Sequence, residues 1–173
     1  GSEDYIVVAT TRPETMLGDV AVAVNPDDER FTRFVGKTVK LPLTDREIPV
    51  IADAMVETEF GTGAVKITPA HDINDFEVGE RHNLERISII GTDGNITDVA
   101  PQKYRGLNVS QAREVILDDL KAQNLLTEVV EIEHSVGHCY KCKNPIQPLL
   151  KEQWFVNMKP LAQKAAERSE EHT

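Results

Sequence analysis

Residues 10–15 read Thr-Thr-Arg-Pro-Glu-Thr and directly follow an apolar run, so their side chains lie at the end of a predicted strand. Two hydroxyls, a guanidinium and a carboxylate in this position can hold a water molecule and bind phosphate or sugar oxygens. These candidate groups belong to Thr10, Thr11, Arg12 and Glu14. The alternative is a turn rich in Ser and Thr with a solvated Arg–Glu pair, which generic residue preferences favour.

Residues 60–68 read Phe-Gly-Thr-Gly-Ala-Val-Lys-Ile-Thr, with two glycines before a predicted strand. Glycines in such a place let the backbone approach a ligand or another strand closely. Lys66 and Thr68 lie two residues apart, so on a strand they face the same side and, on a central strand, point into a polar pocket. An edge strand whose polar face lies in water explains the spacing equally well. A lone Gly-x-Gly is a weak nucleotide-binding signal, and the longer phosphate-loop pattern is missing.

Asp72 and Asp75 lie three residues apart at the start of a predicted helix, on one face of it. Paired acids at this end of a helix commonly do no more than complement its positive terminus. The functional interpretation is that one carboxylate pairs with an ammonium group of a substrate. The sequence contains neither a Ser-His-Asp hydrolase elbow nor a His-Glu-x-x-His helix beside them.

Cys139 and Cys142 form a Cys-x-x-Cys pair, and two cysteines at this spacing can bind one metal ion from a tight turn. A structural zinc site needs four ligands, so this pair is half of a site. We interpret residues 138–143 as a half zinc knuckle that is empty in this chain, although His134 or His138 could complete it.

The composition limits how these groups can meet a nucleic acid. The chain has 173 residues, 28% of them charged, and a formal net charge of −10. Phosphate contacts supply most of the affinity of an RNA-binding protein, and no long basic run is present, so a nucleic acid must be held mainly by something else. Because the sequence shows neither an apolar run of about 20 residues nor a signal-peptide pattern, the expected location is the cytoplasm.

One domain with its own core is expected from a chain of this length. We assign residues 3–162 to it, a C-terminal helix and tail to residues 163–173, and a cloning scar to residues 1–2. Strands are predicted at residues 5–9, 20–24, 38–41, 48–52, 64–68, 87–90, 129–136, 146–150 and 153–156. Helices are predicted between Asn25 and Gly36, at 72–81, at 110–123 with Ser110 as the cap, and from near Pro160. Because strict strand–helix alternation is missing, we expect a mainly β fold with peripheral helices, α+β in overall content, around a closed or nearly closed β core.

Taken together, the motifs resemble one known family. The run at residues 10–15, then Gly-Thr-Gly-Ala-Val-Lys-Ile-Thr-Pro-Ala-His-Asp and Asn-Asp-Phe-Glu-Val-Gly, resembles the inserted editing domain of bacterial-type valyl-tRNA synthetases. The resemblance extends from residue 5 to about residue 162 and includes the cysteine turn and Gln-Trp-Phe-Val at residues 153–156. Leucyl relatives typically have Asp at position 14 and apolar residues at 66 and 68, and isoleucyl relatives depart at 12 and 14.

This resemblance implies a closed six-stranded β-barrel with peripheral helices. It also implies a pocket between residues 10–15, Phe60, residues 66–68 and residues 72–75. Arg12 and Phe60 would frame the substrate and its terminal adenosine, with Glu14 also on the substrate side. The polar side chain of threonine would meet Lys66, Thr68 and Asp72. The α-ammonium would meet Asp75, and Thr10 and Thr11 would place the water.

The implied reaction is hydrolysis of the ester bond of threonyl-tRNA(Val), with the mischarged tRNA and the catalytic core of the parent synthetase as partners and no cofactor for editing. Zinc is implied only as possible in the full-length parent. Amino-acid activation motifs are missing from the sequence, so this chain is not expected to charge tRNA. The alternatives are a leucyl or isoleucyl editing domain and a non-catalytic module that positions tRNA.

Overall fold

The computed structural model describes residues 4–133 and 135–170 of the chain. The expected cloning scar at residues 1–2 and the candidate zinc ligand His134 therefore lie outside the described residues. Within the described residues four strands form, namely β1 (Ala21–Val24), β2 (Thr38–Lys40), β3 (Glu47–Ala52) and β4 (Ala64–Ile67). They are accompanied by α1 (Ile73–His82), α2 (Val109–Ala122) and α3 (Met158–Glu170), and by 3-10 helices at Pro13–Gly18, Thr32–Phe34 and Gln102–Tyr104. Among the described residues, no helix combines the length and the apolar character that crossing a membrane requires.

The strands form one sheet in the order β2-β3-β1-β4. β1 pairs in parallel with β3, with Val22 opposite Val50, and antiparallel with β4, with Val22 opposite Lys66. All four residues of β1 are buried, because both faces of this central strand are covered. The sheet is open, with β2 and β4 at its edges, so the expected closed six-stranded barrel is wrong for the described residues.

Several expected strands fail to form in the described residues, and these failures account for the missing closure. Residues 5–9 have no strand ladder, and residues 87–90 contribute only the single bridge of Ile90 with Ile96. The described part of residues 129–136 and residues 146–150 and 153–156 also lack ladders. Their apolar side chains, such as those of Val129 and Phe155, are exposed, so alternation has no core to pack against.

The helices agree with the sequence where a side chain caps them. Asp72, which the sequence places at the start of the helix at 72–81, caps α1 from the position just before it, and Asn83 ends the helix in the left-handed conformation at φ 52°. α2 begins earlier than expected because Asn108, not Ser110, forms a capping box with Gln111. The expected helix between Asn25 and Gly36 is replaced by turns and the 3-10 helix Thr32–Phe34.

Local hydrogen bonds explain the missing helix after β1. The side-chain oxygen of Asn25 accepts from the amide of Asp27 at 2.9 Å, and its amide group donates to the Val56 carbonyl at 2.6 Å. These bonds hold a turn against residues 53–56 instead of starting a helix, since an Asn side chain competes well for nearby backbone groups.

Two apolar clusters hold the sheet between its helices. One cluster joins Leu17, Val22 and Ile89 to Ile116 of α2, and the other joins Ala21, Ala23 and Ile67 to Val78 of α1. α2 packs directly against the 3-10 helix Pro13–Gly18. Residues 10–19 are therefore fixed between α2 and the β1–β4 pair, which is the place where the polar motifs meet.

The C-terminal end of α1 is fastened to the end of β3. Arg81 donates to both carboxylate oxygens of Asp53 at 3.0 Å, and His82 Nε2 lies 2.9 Å from the same group. Burial acts to raise the pKa of Asp53, but hydrogen bonds from Arg81, the Met55 amide and His82 lower it to about 2. This clamp fixes α1, and with it the acids at the start of α1.

Candidate active site

Strand β4 directs Lys66 into a buried polar cluster. Only 8% of Lys66 is exposed. Its Nζ donates to Thr15 Oγ1 at 2.8 Å, Asp19 Oδ1 at 3.0 Å and Thr68 Oγ1 at 2.6 Å. An ammonium group has three N–H donors, so these bonds use all of them. We call Thr15, Asp19, Lys66 and Thr68 the Lys66 cluster.

Asp19 is the acceptor at the centre of the Lys66 cluster. Its Oδ1 also accepts from Thr68 Oγ1 at 2.5 Å, and Asp19 is 1% exposed. Burial raises the pKa of Asp19, while Lys66 and the Thr68 hydroxyl act in the opposite direction. β4 is an edge strand, yet Lys66 is not in water, because Thr15 and Asp19 cover it. Lys66 and Thr68 lie on one face, as their spacing predicts, and that face is buried although β4 is not a central strand, whereas Asp19 was not predicted.

The two acids at the start of α1 have different environments. Asp72 is exposed, and its Oδ1 accepts from the amides of Asn74 at 2.8 Å and Asp75 at 3.2 Å, which is ordinary N-capping. Asp75 is buried, and its Oδ2 accepts from the amide of Thr68 at 2.7 Å. Asp75 therefore adjoins the Lys66 cluster through the Thr68 backbone.

Burial raises the pKa of Asp75 to about 6, with the Thr68 amide lowering it and the Asp72 charge raising it further. A carboxyl group that titrates near neutral pH beside a buried lysine is typical of functional sites. Of the two acids, Asp72 fulfils the helix-capping role that generic preferences favour, and Asp75 has the properties of a site residue.

Residues 10–15 are tied to the turn before α1. Arg12 Nη1 donates to the His71 carbonyl at 2.7 Å, and its Nη2 donates to Gln147 Oε1 at 2.5 Å. Thr15 Oγ1 donates to the Arg12 carbonyl at 3.0 Å and so joins this loop to the Lys66 cluster. Thr10 is exposed, as is Thr11, and the Thr10 hydroxyl accepts from the Arg12 amide at 3.0 Å.

Glu14 is directed towards α2. It is buried, and Arg113 binds both its carboxylate oxygens, with Nε at 3.0 Å from Oε2 and Nη2 at 3.3 Å from Oε1. Arg113 Nη2 also donates to the Thr11 carbonyl at 2.8 Å. The structure thus places Glu14 in an internal ion pair, and it adds Arg113, which sequence reasoning missed, as the residue that binds the backbone of Thr11.

His71 is a fully buried structural residue. Its Nε2 accepts from the amides of Ile89 at 2.8 Å and Ile90 at 3.2 Å, so this nitrogen bears no proton. Its Nδ1 lies 3.2 Å from the Pro148 carbonyl, to which it donates in that tautomer. Burial lowers the pKa of His71, and the charges of Arg12 and Lys66 act in the same direction. With both ring nitrogens occupied, His71 is not a general base.

Phe60 stands at the rim of this region with 75% of its surface exposed. The turn after it requires glycine, since Gly61 has φ +60° and Gly63 has φ +78°. A Cβ placed on Gly61 would lie 3.4 Å from Ala9 Cβ, so this turn lies against the residue that precedes Thr10. The close backbone approach that the glycines predict is therefore an approach to another segment of the chain.

Of two surface cavities formed by the described residues, one borders the candidate site through Asp72 and the other includes none of the candidate residues. A cavity of about 160 Å³ is lined by Asp72, Phe76 and other residues of 69–76 together with residues 148–150. A cavity of about 390 Å³ is lined by residues 46–49 and 83–85 together with Val20. Lys66, Thr68 and Asp75 line neither, so the geometry of the polar groups, not the size of a cavity, marks the site.

The cysteine turn is closed by two backbone hydrogen bonds. The Cys139 amide donates to the Asn144 carbonyl at 2.9 Å, and the Lys143 amide donates to the Cys139 carbonyl at 2.8 Å with Lys143 at φ 62°. Hydrogen bonds from the backbone of Cys142 and Lys141 lower the pKa of the Cys139 thiol. In the part of the chain that the structure describes, no group of three or more His, Cys, Asp or Glu residues is arranged to hold a metal. Two thiolates fit half of a zinc site.

The sequence matches a family model described as the editing domain of leucyl-tRNA synthetase over residues 27–132. It is 56% identical over 169 residues to the valine–tRNA ligase of Thermotoga maritima, covering 98% of this chain and 19% of that protein. It is 60% identical over 163 residues to the valine–tRNA ligase of Carboxydothermus hydrogenoformans, covering 94% of this chain and 18% of that protein. The chain thus spans about a fifth of the length of these relatives.

Two solved structures share the fold at low sequence identity. One is described as the crystal structure of GlLeuRS-CP1, with a TM-score of 0.56 and 17% identity over 73% of this chain and 83% of that one. The other is the ternary complex of Agrobacterium radiobacter K84 agnB2 LeuRS with tRNA and LeuAMS, with a TM-score of 0.55 and 20% identity over 84% of this chain and 22% of that one.

Proposed function

Since this chain belongs to the editing-domain family of the aminoacyl-tRNA synthetases, we propose that it hydrolyses the ester bond of tRNA charged with the wrong amino acid. The observation that supports the proposal best is the buried Asp75 carboxyl group, whose pKa is raised to about 6, next to the Lys66 cluster. Such a group can change its charge near neutral pH, and a substrate ammonium can pair with it.

We propose threonyl-tRNA(Val) as the substrate because threonine and valine have nearly the same shape. An apolar pocket built for valine rejects threonine by only about 10²-fold, so a second site has to sort by the hydroxyl group. Identities of 53–60% with valine–tRNA ligases support this choice. A polar site accepts threonine and disfavours valine, whose methyl group leaves buried polar groups unpaired.

The candidate residues have distinct proposed roles. Asp75 orients the ester by binding its α-ammonium, and the exposed Thr10 and Thr11 place a water molecule for attack with help from the ribose hydroxyl of the substrate. Such a reaction needs orientation and oxyanion stabilisation rather than a covalent nucleophile. Phe60, whose ring is largely exposed, offers a surface for the terminal adenosine, and Arg12 is proposed to frame the substrate together with it.

Recognition of the threonine hydroxyl has a geometric condition. Lys66 and Thr68 are almost fully buried and bound within their cluster. The substrate hydroxyl is therefore proposed to reach Lys66 by taking the place of the Thr15 hydroxyl, because Thr15 ends the segment that places the water in this proposal. Asp72 is exposed at the same helix start and is proposed to meet the hydroxyl from the solvent side. Glu14 is proposed to act indirectly, by holding Arg113, which binds the Thr11 carbonyl.

The proposed partners follow from charge and length. A chain of net charge −10 has few groups for the tRNA body, so we propose that it touches mainly the 3′-terminal adenosine with its ester. The catalytic core of a longer synthetase then holds the rest of the tRNA in the cytoplasm. Editing needs no cofactor in this proposal, and Cys139 with Cys142 would hold zinc only with ligands from elsewhere in the parent protein.

A leucyl substrate is the second candidate, because the matching family model is described by its leucyl member. A panel of aminoacyl-tRNAs distinguishes the candidates. The purified chain is mixed with threonyl-tRNA(Val), valyl-tRNA(Val) and tRNA(Leu) charged with a non-cognate amino acid, and loss of each ester is followed over time. We expect the threonyl ester to be cleaved fastest. Equal rates on the threonyl and valyl esters would reject sorting by the hydroxyl, and tRNA binding without turnover would favour a non-catalytic module.

A further inference from the structure

The Lys66 cluster depends on a carboxylate that belongs to none of the candidate motifs. We propose that Asp19 is a positioning residue for the proposed hydrolysis, since it fixes Lys66 and Thr68 and, through them, Thr15 and Asp75. The inference rests on the proposed function and assigns Asp19 a part in that same site.

Asp19 accepts hydrogen bonds from the side chains of Lys66 and Thr68. The Thr68 hydroxyl has one donor, which goes to Asp19 at 2.5 Å, and Lys66 directs one of its three donors to the same oxygen at 3.0 Å. Without this acceptor, the buried ammonium of Lys66 would have no charged partner, which is a costly state. The Thr68 hydroxyl would also be free to rotate.

Asp19 thereby connects the two segments that the proposed mechanism uses. Lys66 binds the hydroxyl of Thr15, the last residue of the segment that contains the water-placing threonines. Thr68 binds Asp75 through its backbone amide. Lys66 and Thr68 both donate to the same carboxylate oxygen of Asp19, Oδ1, so this atom positions both residues.

The backbone around Asp19 leaves it little freedom. Its amide donates to the Met16 carbonyl at 3.0 Å, and the next amide, of Val20, donates to the Ile67 carbonyl at 2.9 Å. A Cβ placed on Gly18 would lie 2.5 Å from Ile89 Cγ1, so the chain just before Asp19 fits only as glycine. This rigid setting is what a positioning residue requires.

The charges that face Asp75 make the proposal measurable. They come from Asp72 at the start of its own helix, Lys66 on β4 and Asp19 from the loop before β1. The two acids raise the pKa of Asp75 and the lysine lowers it. Removing the charge of Asp19 should therefore move the titration of Asp75 to lower pH, and removing the charge of Lys66 should move it to higher pH. A loss of packing alone would not produce opposite shifts.

The experiment compares Asp19→Asn and Lys66→Met with the unaltered chain. Asp119→Asn serves as the matched control. Like Asp19, Asp119 accepts hydrogen bonds from a lysine, Lys103, and from a hydroxyl group, that of Tyr104, but it lies far along the chain from the Lys66 cluster. The first readout is the chemical shift of the Thr68 amide against pH, since this amide donates to Asp75 directly. The second is the rate of threonyl-tRNA(Val) hydrolysis against pH.

We expect the amide midpoint to fall by roughly half a pH unit or more in Asp19→Asn and to rise by a similar amount in Lys66→Met. The hydrolysis rate of Asp19→Asn at pH 7.5 should fall about tenfold or more. The reason is that a misplaced Asp75 carboxylate loses its interaction with the α-ammonium of the substrate in the transition state. Asp119→Asn should leave the pH midpoint of the Thr68 amide unchanged. It should also keep the hydrolysis rate within about twofold of that of the unaltered chain.

An unchanged amide midpoint in Asp19→Asn would overturn the proposal, and so would a normal rate with a shifted midpoint. If the unaltered chain hydrolyses no ester at all, the proposed function fails, while the amide titration still tests the link between Asp19 and Asp75. If Asp19→Asn does not fold, the double variant with Lys66→Met removes both charges and keeps the test. Its amide midpoint should then lie between those expected for the single variants, and a midpoint outside that interval would also overturn the proposal.

Discussion

The substitution Asp75→Asn separates the contribution of this residue to deacylation from its effect on the free energy of unfolding. The pKa of Asp75 is about 6, against an ordinary value of 3.8. Because the folded state raises this pKa, it holds the proton more tightly than the unfolded state. The resulting stability is fully present below pH 3.8 and is lost as the pH rises through about 6. At 1.36 kcal/mol per pKa unit, the loss reaches roughly 3 kcal/mol at neutral pH.

Asn at this position keeps the acceptor for the Thr68 amide but cannot ionise. We therefore expect Asp75→Asn to be more stable than the unaltered chain at pH 7.5 by up to roughly 3 kcal/mol, and of similar stability at pH 3.5. Deacylation should fall by about ten- to a hundredfold, since a charge-assisted hydrogen bond is worth about 1.5–3 kcal/mol. Asp75→Ala should show the same loss of activity with a smaller gain in stability, because the buried Thr68 amide then lacks an acceptor.

Urea unfolding between pH 3.5 and 7.5 measures the free energy of unfolding, and deacylation of threonyl-tRNA(Val) is followed on the same preparations. Asp118→Asn is the matched control, since Asp118 is an exposed acid on a different helix, α2, and has no part in the proposed site. If the stability difference between Asp75→Asn and the unaltered chain is the same at both ends of the pH range, the burial argument is refuted. Near-normal deacylation by Asp75→Asn would remove Asp75 from the site.

Two further predictions concern the neighbouring segments. Arg113→Met should lower the free energy of unfolding by about 1–3 kcal/mol, because buried Glu14 loses its hydrogen-bond donors, and it should slow deacylation because the Thr11 carbonyl is released. Adding Glu14→Gln to this variant should restore stability but not activity. A double variant as unstable as Arg113→Met alone would contradict this prediction. The purified chain should contain no stoichiometric zinc, because Cys139 and Cys142 supply two of four ligands. Elemental analysis that finds one tightly bound zinc per chain would refute this expectation.

The parts of the fold that the sequence predicts are those whose signals are local. β1 and β4 are short apolar runs next to glycine or polar turns, and their positions agree with the structure within one residue. α1 and α2 are also found, each within one residue of its predicted bounds. An apolar stripe of helical period marks α2, although its cap is Asn108 rather than the predicted Ser110. Such signals need no knowledge of what the element packs against.

Closure of the sheet could not be predicted in this way, because alternation in a sequence does not say whether a buried face is available. Residues 129–133 have alternating character, yet Val129, Val130 and Ile132 are exposed. The same holds for Trp154 and Phe155. A strand forms only where its apolar face has a partner surface, so pattern alone overestimated the number of strands.

The site shows the same division between local and distant information. Lys66 and Thr68 were paired correctly, because two residues on one strand share a face. Asp19 and Arg113 were missed, because their partners lie 47 and 99 residues away along the chain. Neither residue stands in a motif, and only the tertiary fold brings the carboxylate to Lys66 or the guanidinium to Glu14.

The complete pairing of the Lys66 cluster determines how selective the proposed reaction can be. Under the proposed function, the side chain of the bound amino acid displaces the Thr15 hydroxyl from Lys66 whichever amino acid is bound. The threonine hydroxyl then takes its place as the acceptor, whereas the valine methyl leaves that Lys66 donor unpaired. An unpaired buried donor costs about 1–3 kcal/mol, which corresponds to a rate difference of roughly ten- to a hundredfold. Multiplied by the discrimination of about 10² in a synthetic pocket for valine, this gives about 10³–10⁴ overall. A loosely held lysine would turn to another partner and reduce the penalty for valine, so this selectivity requires the fixed geometry that Asp19 imposes on Lys66.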